Sequence, residues 1–224
     1  MRMTLEITDS GILVQQDGPN GDTIVKAVDP TDLRRALAGE IIMDTGWLGP
    51  RIHRFTQVGG ITRVLVEDPP QRRTVKYEGD QPIEHVPTPR CLFSFSLRNH
   101  QLESSRLCVV AERVPPGMEW IPRDQTPVAR FPFPNVFRDS RICWGRIVLP
   151  VLTLPTIGVL VNLFWDSQFN HDLAHEGLPE NWRGESPPEG MELFRRLARE
   201  PEFPLDLLVP LGTLASWWRG GRHG

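Results

Sequence analysis

The sequence predicts an α+β fold in which an antiparallel β-meander carries helices packed on one face. Two observations support this. Alternating apolar and polar residues, which are typical of strands, dominate the first half of the chain, whereas the longest helical patterns lie in its last third. The 22 prolines among 224 residues, about twice the usual share of ~5%, favour turns and extended segments over a helical bundle.

Composition narrows the class of protein. Hydrophobic residues make up 39% and charged residues 24% of the chain, and the net charge is −3, so the chain should form a globular core without a general affinity for nucleic acid. The three cysteines, Cys91, Cys108 and Cys143, match no zinc-site spacing and fit a reducing compartment. The first ten residues lack the apolar core of a signal peptide, and we expect a cytoplasmic protein.

The N-terminal stretch is predicted to be rich in strands. Residues 3–16 followed by 22–28 have the pattern of strand, turn and strand. Residues 29–39, DPTDLRRALAG, carry helix signals, with a capping Asp29 or Thr31 and a terminating Gly39. We expect residues 1–85 to form a β-rich extension of the same domain.

A four-stranded meander is expected within residues 51–112. RIHRFTQ and ITRVLVE alternate as strands do and are separated by Gly59 and Gly60, a hairpin signal. DPPQRR, at 68–73, is predicted to be a turn, and 78–90 is proline-rich and extended. CLFSFSL and RLCVVAER are two further strands joined by a polar turn at 98–105, with Cys91 and Cys108 as core residues.

The second half is predicted to be irregular and then helical. Residues 114–127 are irregular, and VARF is a short strand. The uncharged stretch 147–165 is long enough to imitate a membrane span, but Pro150 and Pro155 interrupt it, so we expect a buried strand or loop followed by a buried helix.

Three helices are predicted in this half. They cover 156–169, 191–200 and 204–218, the last kinked near Pro210. A polar loop fills 170–190. We assign 86–180 to a core containing Cys143 and 181–224 to C-terminal helices.

The segment FPFPNVFRDSRICWG, residues 131–145, carries the candidate chemistry. A nucleophilic cysteine needs access and donors for the oxyanion that forms when a carbonyl is attacked. Asn135, eight residues before Cys143 and fixed by Pro134, can supply such a donor, and Arg141 can favour the thiolate. Two alternatives stay open, since Cys143 could be a buried structural thiol and Asn135 an ordinary turn residue.

These residues resemble the active-site segment of ubiquitin-conjugating enzymes. Those enzymes carry His-Pro-Asn and, eight positions after the asparagine, the cysteine of an Ile-Cys pair, as PNVFRDSRIC does here. A proline-rich strand precedes the motif, as in TPVARFPFP, and a helix opening with Thr-Ile follows thirteen residues after the cysteine, as Thr156 and Ile157 do. The resemblance implies a conjugating-enzyme-like fold and a transferase with Cys143 as nucleophile.

More narrowly, residues 86–175 resemble the divergent prokaryotic conjugating-enzyme-like family D. Its members occur as protein B of a ParB-related, ThiF-related cassette with a ThiF-type adenylating protein and a JAB-type peptidase. The resemblance implies that Cys143 accepts a ubiquitin-like modifier as a thioester from the ThiF-type partner and passes it to an amine. It assigns this chain no cofactor, because the partner would use the ATP.

Three positions depart from the conjugating-enzyme pattern. Phe133 stands where the histidine of His-Pro-Asn is usual, Ser140 replaces a glycine, and Trp144-Gly145 replace Leu-Asp. A non-catalytic variant that binds the modifier or the activating partner is therefore the alternative function. A cysteine hydrolase using Cys143 and His171 is a third, although no Cys-His signature marks it.

The histidines divide into two groups. In FNHDLAHE, His171 or Asp172 is a candidate for polarising or deprotonating the attacking amine, or for orienting the thiolate. The alternative is a solvated helix end, where the dipole favours histidine, and a zinc site from His171 and His175 would lack a third ligand nearby. The isolated histidines are expected at the surface: His53, His85, His100 and His223.

Overall fold

The computed structural model describes residues 3–8, 11–17, 23–29, 43–44, 51–115, 118–152 and 156–220. The chain divides into two compact units, Met1–Met43 with Gln57–Gly59 and Asp44–Thr56 with Gly60–Gly224. The three-part division into 1–85, 86–180 and 181–224 stays a prediction.

The smaller unit contains a three-stranded antiparallel sheet. Its strands are β1 (Met3–Thr8), β2 (Gly11–Asp17) and β3 (Thr23–Val28), paired in that order. The predicted strand over 3–16 is thus itself a hairpin, because Asp9 and Ser10 lie between two strands that pair with each other. The helix predicted over 29–39 lies outside the described residues, apart from Asp29.

The larger sheet has seven strands in the order β13-β11-β10-β9-β6-β5-β4. Their bounds are β4 Met43–Asp44, β5 Ile52–Val58, β6 Ile61–Asp68, β9 Cys91–Arg98, β10 Gln101–Val110, β11 Pro127–Ala129 and β13 Pro210–Thr213. The adjacent strands β5, β6, β9 and β10 confirm the predicted meander. Gly59 and Gly60 both have positive φ (54° and 77°), as a tight two-residue hairpin turn requires.

A second sheet corrects the turn predicted over 68–73. Only Pro69 and Pro70 connect the strands there, and β7 (Gln71–Tyr77) begins at once. It pairs antiparallel with β8 (Ile83–Thr88) and parallel with β12 (Gln168–Phe169). The charged start of β7 concealed the strand, whose buried face begins only at Val75.

The larger sheet is covered on both faces, so the prediction of helices on one face is wrong. Alternate residues of the same strands enter two separate apolar clusters, as side chains pointing to opposite faces must. One cluster includes Val64, Val66, Phe93, Phe95, Leu107 and Val109. The other includes Leu65, Leu92, Cys108, Val128, Leu214, Trp217 and Trp218.

Three helices contribute to these clusters. The first, α1 (Val159–Asp166), and the second, α2 (Gly190–Leu197), pack against the first cluster, and α3 (Leu214–Gly220) packs against the second. Because α3 supplies Trp217 and Trp218 to the second cluster, both tryptophans are core residues.

Two predicted helices are shorter than expected. The chain becomes extended after Asp166 and forms β12, which ends the helix predicted over 156–169. Pro210 does not kink a helix but begins β13, which pairs antiparallel with β11. Proline is tolerated there because a first strand residue at a sheet edge need not donate to the ladder.

Within the uncharged stretch 147–165, residues 147–152 form a partly exposed loop and not the buried strand or loop that was predicted, whereas the predicted buried helix is confirmed as α1. Leu160, Phe164 and Trp165 of α1 are buried, whereas Val148 and Val151 in the loop are exposed. Within the described ranges, none of the helices has the length and apolar character needed to cross a membrane.

His53 was expected at the surface and is buried instead. Its Nε2 lies 2.5 Å from a carboxylate oxygen of Glu67, which also pairs with Arg90. The indole of Trp120 meets the His53 ring edge-on at 5.5 Å and lies under the Arg90 guanidinium. Burial, with a further contribution from Arg90, lowers the pKa of His53 to about 4, so the imidazole is neutral and donates its Nε2 proton to Glu67.

Stability should therefore fall as the pH is lowered from 7 to 5. The pKa of His53 is 6.5 in the unfolded chain and about 4 in the folded protein. Between pH 7 and 5 the unfolded state therefore binds the proton and the folded state does not, which favours unfolding. We expect a loss of about 2 kcal/mol in unfolding free energy. Denaturant titrations at both pH values, compared with His53→Gln, measure it.

The His53→Gln comparison cancels other titrating groups. Asp68 acts in the opposite direction, because burial raises its pKa despite Arg73 and Trp165, and it is unchanged between the two proteins. An equal pH dependence in both proteins would contradict the assignment to His53.

Candidate active site

Cys143 lies in a short antiparallel ladder formed by residues 135–143. The Cys143 N–H donates to Asn135 O at 2.8 Å, and the Phe137 N–H donates to Arg141 O at 2.9 Å. Between these pairs, Val136 and Ile142 form a β-bridge. Asn135 has φ of 67°, a left-handed conformation that asparagine tolerates better than most residues.

The ladder has an inner and an outer face. Side chains alternate between faces, and directly paired residues share one. Val136 and Ile142 are buried, which places them on the inner face. The outer face then carries Cys143 and the pair Phe137 with Arg141, and the Arg141 guanidinium does lie 5.1 Å from the Phe137 ring. Cys143 therefore projects outward and is half-buried. The Asn135 side chain is buried, because its left-handed backbone breaks the strand alternation.

The ladder is attached to the edge of β10. The Leu107 N–H donates to Ser140 O at 2.8 Å, and the Ile142 N–H donates to Ser105 O at 3.1 Å. Trp144 Nε1 donates to Ser105 Oγ at 2.8 Å, so Ser105 binds both neighbours of Cys143. Sequence reasoning missed Ser105, and no sequence signal links a strand serine to a residue 39 positions away.

The carboxamide of Asn135 points to the end of α1. Its Nδ2 donates to Gln168 O at 3.1 Å and approaches Ser167 Oγ at 3.4 Å. The ladder thus holds the backbones of Asn135 and Cys143 together, while the asparagine amide is bonded to the segment that follows the helix.

The two other cysteines are core residues, as predicted. Cys91 and Cys108 are fully buried, and burial raises the pKa of both thiols well above the usual value. Cys143 is thus the cysteine that reaches solvent, since all three lie in the described part of the chain.

Phe133, at the position where conjugating enzymes usually have histidine, is an aromatic core residue. It has no exposed surface, and its ring contacts Phe194 at 4.9 Å and Phe131 at 5.2 Å between centroids. Trp165 and Phe203 complete the surroundings at 6.3 and 6.0 Å. The turn before Asn135 is therefore anchored by packing, with no polar group at this position.

His171 and Asp172 are exposed and lie in the loop that follows Gln168. The His171 ring packs edge-on against Tyr77 at 5.2 Å, and Asn170 exchanges two hydrogen bonds with Asp172. Within residues 118–152 and 156–220, no hydrogen bond or ion pair connects His171 or Asp172 with Cys143. They are linked to the ladder along the chain, through Gln168, whose backbone oxygen accepts a hydrogen bond from the Asn135 amide.

Cys143 is half-buried. A cavity of about 560 Å³ between the β7–β8 hairpin, the end of β10 and residues 201–205 is lined by none of the candidate residues. In the described part of the chain, no group of three or more His, Cys, Asp or Glu residues is arranged to hold a metal ion.

Comparison with known proteins places this chain in a family. The model of the family described as Prokaryotic E2 family D matches residues 33–211, which include the whole cysteine ladder, β10 and α1. No curated protein matches the chain, and no solved structure does. Because the match covers more than half of the 224 residues, the chain belongs to the prokaryotic E2 family D.

Proposed function

We propose that this chain accepts a ubiquitin-like modifier as a thioester on Cys143 from a ThiF-type activating partner and passes it to an amine. The observation that carries the proposal is the outward thiol of Cys143 on a rigid ladder with Asn135 directly opposite. The activating partner would consume ATP, and a JAB-type peptidase of the same cassette is the second expected partner. Membership of an E2 family supports a role in conjugation.

The first chemical step is acyl transfer to sulfur. The Cys143 thiolate attacks the carbonyl carbon of the activated modifier, a C–S bond forms, and the partner's leaving group departs with the electron pair. Asn135 would stabilise the oxyanion through its amide. The Asn135 Nδ2 group donates to Gln168 O and, at 3.4 Å, to Ser167 Oγ, so this role requires a rotation of the side chain or the loss of the longer bond.

The second step is attack by the amine on the thioester. His171 or Asp172 would accept the proton that the amine loses as the C–N bond forms and the Cys143 thiolate leaves. The supporting observation is that both residues lie in the loop that follows β12, the strand in which Gln168 accepts a hydrogen bond from Asn135.

The direct test of Cys143 uses the cognate activating protein, modifier and ATP. Wild type should form an adduct that a thiol reductant removes, Cys143→Ser an adduct that resists the reductant, and Cys143→Ala none. Cys91→Ala is the matched control and should load normally, because Cys91 is buried. An adduct on Cys143→Ala would remove the nucleophile assignment.

The other residues are tested by single turnover from the loaded thioester to a lysine acceptor. Asn135→Asp removes the donor at nearly constant shape, and we expect the rate to fall by about 10². His171→Ala should slow transfer by about 10² if the imidazole accepts the proton. Unchanged transfer by His171→Ala would end that role.

A non-catalytic scaffold of the same fold is the second candidate. Two observations favour it, namely the buried Phe133 in place of the usual histidine and the engagement of the Asn135 amide with Gln168. Binding of the modifier or the activating protein by wild type, without any adduct, would select this function.

A further inference from the structure

The segment that contains Cys143 is positively charged although the chain is not. The whole protein has a net charge of −3, yet residues 130–152 contain one acidic residue and four arginines. The acidic residue is Asp139 and the arginines are Arg130, Arg138, Arg141 and Arg146. This imbalance lies in the segment that presents the thiol.

The single acidic group is neutralised locally. Arg141 Nε lies 2.6 Å from Asp139 Oδ2, and the Arg141 N–H also donates to Asp139. These bonds lower the pKa of Asp139 despite its partial burial. Arg138 and Arg146 are exposed, and neither forms an ion pair within residues 51–115, 118–152 and 156–220. Their charges therefore remain available to a partner.

The free charges are close enough to act at the thiol. Arg146 is three residues after Cys143, in a turn closed by Ile147 N–H to Trp144 O, so the two Cα atoms are at most ~11 Å apart. Arg138 is at the tip of the ladder, next to the Phe137–Arg141 pair. The screening length at physiological salt is ~8 Å, and an arginine side chain spans much of the remaining distance.

Exposed apolar groups adjoin the charges. Val148 is 91% and Val151 75% exposed, in the loop just after Arg146, and Phe137 on the outer face of the ladder is 36% exposed. Exposed apolar side chains that are grouped in one segment can form a patch for a partner, whereas single exposed ones are ordinary. A complementary partner would offer carboxylates interspersed with apolar side chains.

We propose that this surface selects acyl donors whose segment next to the reacting carbonyl carries acidic and apolar side chains. The inference rests on the proposed function, since it names the chemistry of the modifier that Cys143 would accept. The carboxylates would meet Arg138 and Arg146, the apolar groups would cover Val148 and Val151, and the carbonyl would then lie against the thiol.

Peptide benzyl thioesters test the selection directly. Acetyl-Glu-Leu-Glu-Gly and acetyl-Arg-Leu-Arg-Gly thioesters transfer their acyl group to Cys143 with release of benzyl thiol, which mass spectrometry follows. We expect the acidic peptide to react about tenfold faster at low salt, with the ratio falling towards one in 0.5 M salt. The double variant Arg138→Glu with Arg146→Glu should reverse the preference, whereas Arg199→Glu, at an exposed arginine after α2, should retain it.

A second measurement separates this inference from the proposed function. The dianionic disulfide 5,5′-dithiobis(2-nitrobenzoate) and the neutral 4,4′-dithiodipyridine both react with Cys143. The rate with the dianion divided by the rate with the neutral reagent measures the positive charge near the thiol, because a change in thiolate concentration affects both rates equally. The ratio should drop at least fivefold in the double variant and stay constant in Arg199→Glu.

Each outcome decides one of the two claims. Three outcomes overturn the proposed preference for acidic acyl donors. They are a disulfide rate ratio unchanged in the double variant, equal rates with the two peptides, and disulfide reaction without any peptide transfer to Cys143. Failure of modifier loading, with both charge effects intact, instead overturns the conjugating function and leaves a thiol surface that is selective for acidic partners.

Discussion

Iodoacetamide should alkylate native protein at Cys143 and leave Cys91 and Cys108 unmodified. The Cys143 thiol reaches solvent on the outer face of its ladder, whereas the other two are fully buried and their pKa values are raised by burial. A buried thiol reacts only when the structure opens, and opening of a core strand costs several kcal/mol. We expect the two core thiols to react about 10³-fold more slowly, or slower still.

Peptide mapping by mass spectrometry after timed alkylation measures these rates. Cys143→Ala is the control and should take up no label in the native state and two labels in guanidinium chloride. Alkylation of Cys91 or Cys108 at a rate near that of Cys143 would mean that solvent and reagent reach the two core clusters. The assignment of the chemistry to Cys143 would then lose its basis.

Phe133→His, which restores the usual histidine of the conjugating-enzyme motif, should destabilise the protein by about 3–5 kcal/mol at neutral pH. The substitution removes aromatic burial next to Phe131 and Phe194 and places two ring nitrogens where the surroundings are aromatic. Lost packing and an unsatisfied polar group each cost a few kcal/mol. Denaturant unfolding at pH 7 measures the difference.

The loss should deepen in acid, because burial lowers the pKa of the new histidine and the unfolded state then binds the proton first. Phe133→Leu is the matched control. It should cost less, about 1–2 kcal/mol, and show no added pH dependence between pH 7 and 5.5. A histidine variant as stable as the leucine variant would show that position 133 tolerates a polar group. Aromatic packing of Phe133 would then not be what anchors the turn before Asn135.

The candidate site could be predicted from the sequence only in part. The spacing of Asn135 and Cys143 was visible, and the structure pairs the backbones of these residues across one ladder. The direction of the asparagine amide could not be predicted, because Gln168 belongs to a segment 33 residues away. The bonds of Ser105 to Ile142 and Trp144 were also hidden, because the sequence placed Ser105 in a polar turn, whereas the structure places it in β10.

The buried pair of His53 and Glu67 also could not be predicted from the sequence. His53 looked isolated because its partner Glu67 lies on the neighbouring strand, and a hydrogen bond across a hairpin leaves no local pattern. The tertiary structure buries the pair and lowers the pKa of the imidazole to about 4, which turns an expected surface residue into a source of acid sensitivity.

What the sequence by itself determined is the set of elements whose pattern is local. The hairpin at Gly59 and Gly60, the apolar strands β9 and β10 and the amphipathic α2 follow from turn residues and periodicity. Only the tertiary structure decided that β7 and β13 are strands and that α3 covers the opposite face of the sheet. The physical reason is that a short or charged strand gains its stability from the hydrogen bonds and apolar surface of distant segments, and neighbouring residues carry no record of those partners.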